Sequence, residues 1–432
     1  MLRLLRKLTP KWLFDAYHRV LSSFAAGWYG HPSNEMVVIG VTGTNGKSST
    51  CYFLSKILEA SGVKTGMTST AMFKIADKMW TNDTKMTMLG RFQLQKLLRQ
   101  MVSAGCRYAI VETSSQGVLQ HRHQDISYDA CVFTNLTPEH IEAHGGFENY
   151  KKAKIELFAH TALLPQKLIN GQDVQRIEIL NADDEHAKDF VLKGFDRVVW
   201  YGVDAGDVRA MDIKEDIDGV RFSVSGTEFR VKTPGRVMAY NALAAIATAQ
   251  AFGVLLADAS AHLAGTPAMP GRYESINEGQ PFRVIVDYAY EPVALERLFD
   301  YADEIKNGGR IIHVTGSAGG GRDVARRDVI GRLSAKRSDV TIVTNEDPYD
   351  DDPQSIIDAV ANGALAEGKK EGEGVLRILD RREAIQKAIS LAQAGDIVLI
   401  TGKGSEPVMA VAGGKKVAWD DRETAREMIL KR

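Results

Sequence analysis

A glycine-rich segment that follows an apolar run constrains the fold of this chain more than any other feature. Residues 36–39 read Met-Val-Val-Ile, which is typical of a buried strand, and residues 42–50 read Thr-Gly-Thr-Asn-Gly-Lys-Ser-Ser-Thr. A helical pattern comes next, at Tyr52, Phe53, Leu54, Ile57 and Leu58. Strand, glycine turn and helix in this order predict a phosphate-binding loop, because the turn N–H groups and the helix dipole point at one spot.

The residue types in this loop suit a nucleotide with Mg²⁺. Lys47 would reach the outer phosphates, and Ser48 would offer its hydroxyl to Mg²⁺. The spacing is that of a short loop, since Val41 stands where the longer Gly-x4-Gly-Lys-Ser pattern needs glycine. A glycine turn without a ligand is the alternative interpretation. We expect nucleotide contacts along the whole loop, from Gly43, Thr44, Asn45, Gly46, Lys47, Ser48 and Ser49.

Length and composition limit the number of domains and the classes of partner that this chain can have. With 432 residues, a net charge of -1 and 44% hydrophobic residues, the chain is expected to form two or three globular domains without a nucleic-acid partner. Cys51, Cys106 and Cys131 lie too far apart for a disulfide framework or a zinc motif, which favours a reducing, cytoplasmic compartment. No apolar run approaches the length of a membrane span, and no signal peptide is evident.

The first 35 residues combine basic and apolar side chains. Pro10 divides them into a short start and a longer amphipathic helix. Two interpretations stay open, namely peripheral contact of residues 1–30 with an anionic membrane surface, or docking of the helix on the rest of the protein. The basic residues are Arg3, Arg6, Lys7, Lys11 and Arg19.

Apolar runs alternate with helical patterns through the rest of the chain. This alternation predicts an α/β fold with a central, doubly wound, mostly parallel sheet that carries the phosphate-binding loop. Short alternating segments within 207–232 predict a small β-rich insert, and a second series predicts a C-terminal Rossmann-like α/β domain. The predicted domains are 1–35, 36–275 and 276–432. The predicted strands lie at 36–39, 108–111, 130–133, 177–180, 198–201, 283–286, 310–314, 340–343, 375–379 and 397–400.

Polar residues follow several of these strands. Glu112 ends one strand, Glu139 and His140 come after the next, and Lys154 lies on a following helix. Ligands bind at the carboxyl ends of strands in such sheets, and a carboxylate near a phosphate loop is a common Mg²⁺ ligand. Glu112 alone could equally be a solvated strand end, His140 alone would more simply be one, and Lys154 could be an ordinary surface lysine, so the set matters more than any single residue.

The order of motifs along the chain resembles the Mur ligase family, and in particular its tripeptide synthetases of the MurE type. These are ATP-dependent amide ligases of cell-wall peptide synthesis, and folylpolyglutamate synthetases are their relatives. The resemblance covers almost the whole chain after residue 36. Its motifs are Thr-Gly-Thr-Asn-Gly-Lys-Ser at 42–48, Glu-x-Ser-Ser at 112–115, Thr-Asn-Leu-Thr-x-Glu-His at 134–140, Tyr-x-x-Ala-Lys at 150–154, Asn-Ala-Asp-Asp at 181–184, Gly-Arg-x-Glu at 271–274 and Gly-Lys-Gly at 402–404.

This resemblance implies cofactors and residue roles. ATP would bind with two Mg²⁺ ions, one at Ser48 and one near Glu112 and His140, while Lys154 would be carbamylated by CO₂ and act as an anionic metal ligand. Lys47, Glu112, His140 and Lys154 would form the catalytic set. The nucleotide would also contact Asn241, Arg272 and Asp287. Substrate contacts would come from Thr87, Thr113, Ser114, Ser115, Arg122, Arg322, Asp347, Tyr349, Gly402 and Glu406.

Departures from the family pattern bear on the substrate. The family motif Asp-Asn-Pro-Arg grips the far carboxylate of diaminopimelate with its arginine, but this chain has Tyr349 at that position. Tyr290, Ser405 and Gln116 replace histidines of other motifs. Tripeptide synthetases also open with a UDP-binding domain, whereas the first predicted strand here begins at residue 36. A lipid-linked or free peptide acceptor is therefore an alternative to a nucleotide-linked one.

The sequence thus predicts a ligase that adds an amino acid to a muramyl-peptide-like carboxylate through an acyl phosphate. A related ligase with another acceptor, such as a pteroyl, lipid-linked or polymer substrate, is the first alternative. A P-loop ATPase that has lost ligation is the second. The partners of the predicted ligase would be an amino acid and a peptide-bearing acceptor.

Overall fold

The computed structural model describes residues 11–138, 144–216, 218–321 and 324–432, with side chains from residue 16 onward. The chain divides into two compact units. The first holds most of residues 1–266, and the second holds 267–432 with 215–220 and 232–235. The predicted domain boundary near residue 275 stays a proposal.

The first unit is built on a large, mostly parallel sheet. Within the described residues, the sheet has nine strands, and the strand before the phosphate-binding loop lies at its centre. That strand is buried along its whole length and has parallel neighbours on both sides, as a central strand of an α/β sheet should. In sheet order the strands are Val208–Arg209, Arg197–Gly202, Ile177–Asn181, Ala130–Phe133, Val37–Thr42, Cys106–Glu112, Lys64–Thr68, Met72–Ile75 and Lys78–Thr81.

Helices cover this sheet. The alanine-rich helix Val237–Ala251 is buried around most of its circumference and packs against Lys47–Leu58, because small side chains allow close approach. The core between sheet and helices includes Leu98, Val111 and Phe158. Among the described residues of this unit, the α-helices are Lys11–Trp28, Lys47–Leu58, Arg91–Ser103, Ser115–Leu119, Phe147–Leu163, Val237–Ala251 and Leu256–Gly265, and the short 3-10 turns are Pro32–Asn34, Glu59–Ser61 and Ala187–Phe190.

A buried ion pair pins the central strand at the end opposite the loop. The Asp129 carboxylate accepts hydrogen bonds from the Val38 backbone N–H (2.8 Å) and from Lys167 Nζ (2.6 Å). Lys167 Nζ also donates to the backbone oxygens of Met36 (3.1 Å) and Ser127 (2.6 Å). Both charges are thereby satisfied, as burial requires.

Smaller sheets accompany the large one. The predicted β-rich insert is a three-stranded sheet of Met211–Asp216, Gly219–Val224 and Thr227–Val231. Two antiparallel ribbons, which the sequence did not predict, are Lys167–Ile169 with Gln172–Val174 and Val408–Val411 with Lys415–Ala418.

The second unit has its own parallel sheet and core. Its described strands form a six-stranded sheet in which the edge strand Glu274–Ile276 is antiparallel to its neighbour. In sheet order the strands are Glu274–Ile276, Arg283–Asp287, Ile397–Thr401, Ile311–Thr315, Val340–Thr344 and Val375–Ile378. The helices are Pro292–Ile305, Ala325–Arg337, Pro353–Leu365, Arg381–Leu391 and Asp421–Leu430, with a 3-10 turn at Ala412–Gly414.

The two units confirm the predicted fold class, and every predicted strand overlaps an observed one. The helix predicted after Pro10 is present as Lys11–Trp28, while the predicted short start before it lies outside the described residues. Over the described part of the chain, no helix combines the length and apolarity needed to cross a bilayer.

Candidate functional site

The phosphate-binding loop occupies the turn between Val37–Thr42 and the helix that starts at Lys47. Its two glycines have backbone φ angles of 149° at Gly43 and 83° at Gly46. A Cβ at Gly43 would lie 1.9 Å from Thr134 Oγ1, and one at Gly46 would lie 2.1 Å from Asn241 Oδ1. Side chains are excluded at both positions by conformation and by space. Asn241, predicted to contact the nucleotide, therefore abuts the loop.

Neighbouring segments hold the loop in place. The Thr44 and Asn45 N–H groups donate to the Asn135 backbone oxygen (2.8 Å) and side-chain oxygen (2.9 Å). Thr134 Oγ1 donates to the Asn45 backbone oxygen at 2.7 Å. The Thr44 hydroxyl also bonds the Tyr150 hydroxyl at 3.1 Å. The loop is thus pre-organised by the segment after the adjacent strand.

Lys47 lies over this loop. Its Nζ donates to the backbone oxygens of Gly43 (3.0 Å) and Thr44 (2.6 Å). The ammonium group is therefore at the loop itself, beside the N-terminus of the helix Lys47–Leu58. A cation and a positive dipole end at one place attract polyphosphate.

The predicted Mg²⁺ ligands Ser48 and Glu112 are in direct contact. The Ser48 hydroxyl donates to Glu112 Oε2 at 2.7 Å, and Glu112 is buried. Val41 pairs with Glu112 across parallel strands, which brings the strand end to the loop. Hydroxyl and carboxylate oxygens are the hard donors that Mg²⁺ prefers, so these two residues fit the ion.

Thr70 completes the environment of Glu112, and the sequence reasoning missed it. Its backbone N–H donates to Glu112 Oε2 (2.7 Å), and its hydroxyl donates to Oε1 (2.8 Å). The same hydroxyl contacts Thr87 Oγ1 at 2.9 Å, so the predicted substrate residue Thr87 lies near the Ser48–Glu112 pair. Thr70 follows the strand Lys64–Thr68, which the sequence pattern did not predict. Without that strand, nothing in the sequence indicates that Thr70 lies near Glu112.

Lys154 is buried against the loop. It lies on the helix Phe147–Leu163, its Nζ donates to the Gly43 oxygen at 2.6 Å, and it lies 4.4 Å from the centroid of the Tyr150 ring. The alternative of an ordinary surface lysine is wrong, because Lys154 is only 2% exposed. His140, the fourth predicted catalytic residue, lies outside the described residues. Among those described, no group of three or more His, Cys, Asp or Glu side chains could hold a metal ion.

The predicted substrate residues after Glu112 have structural partners. Ser114 Oγ accepts a hydrogen bond from the Gly117 N–H at 3.1 Å and so caps the helix Ser115–Leu119. Ser115 Oγ bonds His144 Nε2 at 3.1 Å, and the Thr113 hydroxyl donates to the Val111 oxygen at 3.2 Å. Their contacts with substrate stay predictions.

Arg122 lies close to the same region. Its guanidinium donates to the Met88 backbone oxygen and, at 2.6 Å, to Gln120 Oε1. Burial lowers the pKa of Arg122 below its usual value. Met88 lies next to Thr87 in the chain, so Arg122 adjoins the Thr70–Thr87 segment.

Arg272 and Asp287 belong to the second unit. Asp287 is buried, and its two carboxylate oxygens accept hydrogen bonds from the Tyr273 (2.7 Å) and Ala289 (2.6 Å) N–H groups. Burial raises the pKa of Asp287, and the positive charge of Arg272 opposes this rise. The Arg272 guanidinium lies 4.7 Å from the Tyr288 ring centroid. Their nucleotide contacts remain predictions.

A buried lysine gathers three of the predicted substrate residues. Lys403 Nζ donates to Asp347 Oδ1 (2.9 Å) and Glu406 Oε2 (2.8 Å). The preceding Gly402 has φ 103°, and a Cβ there would lie 2.5 Å from Glu346 Oε2. Asp347, Gly402 and Glu406 therefore form one cluster. Arg322, also predicted to contact substrate, lies outside the described residues.

The acidic side chains that follow Tyr349 bond backbone N–H groups of the protein. Tyr349 has a left-handed backbone with φ 52°. Asp350 Oδ1 accepts a hydrogen bond from the Gly413 N–H, Asp351 Oδ2 accepts one from the Gly320 N–H, and Asp352 caps the helix Pro353–Leu365. These partners give residues 350–352 a structural role in this loop.

Comparison with known proteins places the chain in a family. Residues 41–249 match the Mur ligase middle domain, and residues 271–404 match the Mur ligase, glutamate ligase domain. The chain is 40% identical over 419 residues to the UDP-N-acetylmuramyl-tripeptide synthetase of Roseiflexus sp. (strain RS-1), covering 95% of this chain and 81% of that one. It is 34% identical over 432 residues to the UDP-N-acetylmuramoyl-L-alanyl-D-glutamate--2,6-diaminopimelate ligase of Geobacillus kaustophilus (strain HTA426), covering 98% and 85%.

Solved structures agree with this placement. A UDP-N-acetylmuramoyl-L-alanyl-D-glutamate--2,6-diaminopimelate ligase superposes with a TM-score of 0.59 at 26% identity, covering 92% of this chain and 79% of that one. The folylpolyglutamate synthase of Mycobacterium tuberculosis, complexed with ADP and AMPPCP, shares the fold with a TM-score of 0.67 at 17% identity, covering 88% and 91%.

The two Mur ligase domain matches and the relatives place the chain in the class of ATP-dependent ligases that form C–N bonds, and the glycine loop with the adjoining Ser48–Glu112 pair agrees with that class. The chain belongs to the Mur ligase family, whose members act in peptidoglycan synthesis. The predicted family is therefore confirmed.

Proposed function

We propose that this protein joins an amino acid to the carboxylate of a muramyl-peptide-like acceptor, in the manner of a tripeptide synthetase. The observation that carries the proposal is the Ser48–Glu112 contact of 2.7 Å at the phosphate-binding loop, in a chain whose relatives are tripeptide synthetases and diaminopimelate ligases. Asp347, Gly402 and Glu406 supply a second cluster for the amino acid.

The chemistry follows from the poor reactivity of a carboxylate. Transfer of the γ-phosphoryl group of ATP to the acceptor carboxylate gives an acyl phosphate and ADP. The amine of the amino acid then attacks the acyl carbon, phosphate leaves, and the amine loses a proton. Lys47 and the loop N–H groups would neutralise phosphate charge and orient the transferred group. Binding Mg²⁺ at Ser48 and Glu112 would add further charge neutralisation.

Lys154 fits the proposed carbamate because of where it lies. Its amine would attack CO₂ and lose a proton, and the resulting carbamate would present oxygen atoms instead of an ammonium group. Lys154 Nζ lies against the same loop as Ser48, bound to the Gly43 oxygen at 2.6 Å. A second Mg²⁺ held by the carbamate with Glu112 and His140 is part of the proposal.

The first experiment measures phosphate release that depends on an amino acid. Purified protein would receive ATP, Mg²⁺, UDP-muramoyl-Ala-Glu and each amino acid in turn, followed by mass spectrometry of the acceptor. Release with a mass gain for one amino acid supports the proposal. A pteroyl substrate serves as the competing acceptor, and turnover of that substrate alone would refute a muramyl acceptor. ADP formation without any amino acid would refute ligation.

We further propose that this cytoplasmic enzyme contacts an anionic membrane surface through its N-terminal helix. One face of Lys11–Trp28 packs on the first unit through buried Ser22, Ala25 and Ala26. The opposite face exposes an apolar stripe of Tyr17 (59%), Val20 (70%), Phe24 (57%) and Trp28 (71%). The docked and membrane-facing interpretations thus apply to different faces of one helix.

The charge of this segment favours anionic lipid. Arg3, Arg6, Lys7, Lys11 and Arg19 are basic, while Asp15 is the one acidic residue among the first 30. Basic residues beside an apolar face that includes Trp are typical of a helix that lies in a membrane interface.

Vesicle sedimentation tests this contact. Wild-type protein is expected to sediment with phosphatidylglycerol-rich vesicles and to stay in the supernatant with neutral phosphatidylcholine vesicles. The variant Tyr17→Ser, Phe24→Ser, Trp28→Ser should lose sedimentation, because it removes the three aromatic side chains of the exposed apolar stripe and leaves the buried face intact. The control replaces Leu163 and Leu168, two exposed leucines elsewhere in the same unit, by serine. Equal sedimentation of wild type and the helix variant would contradict the proposal.

A further inference from the structure

Arg91 and Arg122 are neighbouring arginines without a carboxylate partner, and we call them the arginine pair. Arg91 begins the helix Arg91–Ser103, Arg122 lies in a later turn, and both are half-buried. Gln120 bridges them, because its backbone oxygen accepts a hydrogen bond from Arg91 and its Oε1 accepts one from Arg122 at 2.6 Å. Arg122 also donates to the Met88 backbone oxygen. These acceptors are uncharged, and no carboxylate of the described residues pairs with either arginine.

The positive charge of the arginine pair is not neutralised by the protein around it. Burial lowers the pKa of Arg91, and the nearby positive charge of Arg122 lowers it further. The Nε atoms of both arginines have no hydrogen-bond partner among the described residues. Holding two like charges together away from water is costly, and an anion that bonds both guanidinium groups would offset this cost. The arginine pair therefore suits a phosphate group, whose oxygens match the planar fork of arginine.

The arginine pair adjoins the apolar stripe of the N-terminal helix. That helix, Lys11–Trp28, packs against the helix that Arg91 begins. Phe24 of the stripe contacts the Phe92 ring edge to face, with ring centroids 5.9 Å apart, and Phe92 follows Arg91 in the chain. An exposed apolar surface thus continues directly into a positive charge that the protein leaves unpaired.

On its other side, the arginine pair leads toward the phosphate-binding loop. Arg122 holds the backbone of Met88, and the preceding residue Thr87 contacts Thr70 Oγ1 at 2.9 Å. The Thr70 hydroxyl in turn donates to Glu112 Oε1 at 2.8 Å, and this carboxylate lies beside the loop. A continuous set of contacts therefore joins the arginine pair to the place where the acceptor carboxylate would be phosphorylated.

The order of these features selects one class of acceptor. An acceptor that uses all of them needs an apolar chain at the stripe, a phosphate group at the arginine pair and a peptide that reaches the loop. A free peptide has neither the chain nor the phosphate. A nucleotide-linked peptide has a diphosphate but no apolar chain. A peptide joined to a lipid through a phosphate has all three parts.

We propose that the acceptor is lipid-linked, and that Arg91 together with Arg122 binds the phosphate group between its lipid chain and its peptide. The lipid chain stays in the bilayer that the N-terminal helix contacts, while the peptide carboxylate extends toward the phosphate-binding loop. This inference rests on the proposed function and names the class of its acceptor. A nucleotide-linked acceptor also carries a diphosphate, and the experiment below separates the two sources.

The experiment compares three acceptors that share the muramoyl-Ala-Glu part. One carries a long alkyl chain on a diphosphate and is supplied in nonionic detergent, one carries UDP, and one carries neither. Amino acids are supplied as a mixture, and phosphate release is measured. Wild-type protein should show the highest kcat/KM with the alkyl diphosphate acceptor. In Arg91→Gln, the KM for that acceptor should rise about 10- to 100-fold, because a charged hydrogen bond is lost, with the KM for ATP unchanged.

Controls make each outcome decisive. Lys96→Gln removes a positive charge from an exposed position of the same helix and should leave the acceptor KM unchanged. Arg91→Lys should fall between wild type and Arg91→Gln, because it keeps the charge without the planar fork, and it supplies the comparison if Arg91→Gln does not fold. A preference of the wild type for the UDP-linked acceptor, or an unchanged acceptor KM in folded Arg91→Gln, would overturn the inference while the ligase activity stands. No amino-acid-dependent release with any of the three acceptors would overturn the proposed function itself.

Discussion

The Lys47 side chain is long and flexible, but backbone contacts hold its ammonium group at one position. Its Nζ is held by the Gly43 and Thr44 oxygens, so the ammonium group is placed at the loop before nucleotide arrives. When nucleotide binds, Lys47 Nζ could exchange these two carbonyl oxygens for phosphate oxygens without moving its positive charge. Less reorganisation is then needed during phosphoryl transfer.

Replacing Lys47 by alanine should abolish most ATP turnover. The phosphates lose their counter-charge, and we expect kcat to fall at least about 100-fold, the size found for removing a charge-stabilising donor. Phosphate release measures the effect. Lys56→Ala is a matched control, because Lys56 lies on the same helix and pairs with Glu59 at the surface. Unchanged turnover in Lys47→Ala would remove the phosphate-loop interpretation.

Replacing Lys154 by alanine should reduce activity by about 10- to 100-fold, the range for losing a residue that supports a metal site. If the lysine acts as a carbamate, high chloride or acetate should restore part of the activity by supplying an anion in its place. The assay is phosphate release with and without added salt, and Lys152→Ala, at an exposed position of the same helix, is the control. A Lys154→Ala protein with full activity and no added anion would refute the carbamate.

At the scale of elements, the loop between Val37–Thr42 and Lys47–Leu58 was predictable and several other elements were not. Its strand is continuously apolar, and its glycines mark a turn that other residues cannot adopt. Lys64–Thr68 was missed because Lys-Thr-Gly-Met-Thr has neither an apolar run nor a regular alternation. It becomes a strand through pairing with Cys106–Glu112, which is a long-range contact that local patterns do not record.

Gly46→Ala tests the geometry of this turn. Gly46 has φ 83°, a conformation that costs a residue with a Cβ about 1–2 kcal/mol, and the new Cβ would also clash with Asn241 Oδ1. Nucleotide binding measured by calorimetry should weaken, while the secondary structure measured by circular dichroism should be retained. Gly62→Ala, a positive-φ glycine at which a Cβ has open space, separates backbone strain from the clash. Equal effects of the two substitutions would contradict the role of the Asn241 contact.

At the scale of the whole molecule, the sequence predicted several residues that the structure brings together, but it did not predict all of the residues around them. Ser48, Glu112 and Lys154 were each predicted from their motifs, and the structure brings Ser48 to Glu112 and Lys154 to the loop. Thr70 was not assigned a role, because threonines are common and only its contacts with Glu112 single it out. Its importance depends on which segments meet in space, and single-sequence patterns do not contain that.

The stability of the whole fold should fall at acidic pH, because the structure buries histidine side chains. His123 is 1% exposed, has no hydrogen-bond partner at either ring nitrogen among the described residues, and lies beside His160. Burial, with the nearby His160 and His121, lowers the pKa of His123 to about 3. The unfolded chain has a histidine pKa of about 6.5, so it binds the proton more readily than the folded protein. The stability contribution is present above about pH 6.5 and is lost as the pH falls toward 3.

His123→Leu should therefore flatten the pH dependence of stability. Between about pH 6.5 and 5, the wild type should lose about 2 kcal/mol of unfolding free energy through this one group, and the variant should not. Urea unfolding at several pH values measures the difference. His262→Leu, at an exposed position, should follow the wild type. Parallel pH profiles for wild type and His123→Leu would show that His123 is not the origin.

The Asp129–Lys167 pair has a consequence that reaches the other end of its strand. Asp129 fixes the Val38 N–H, and Lys167 fixes the Met36 oxygen, so the strand enters the sheet at one defined residue. A slip by one position would displace everything after it by about 3.3 Å and turn each side chain to the opposite face. The loop that carries Lys47 would then start from a displaced strand end. The Asp129–Lys167 pair thus sets the register of the central strand and, through it, the starting point of the loop that carries Lys47.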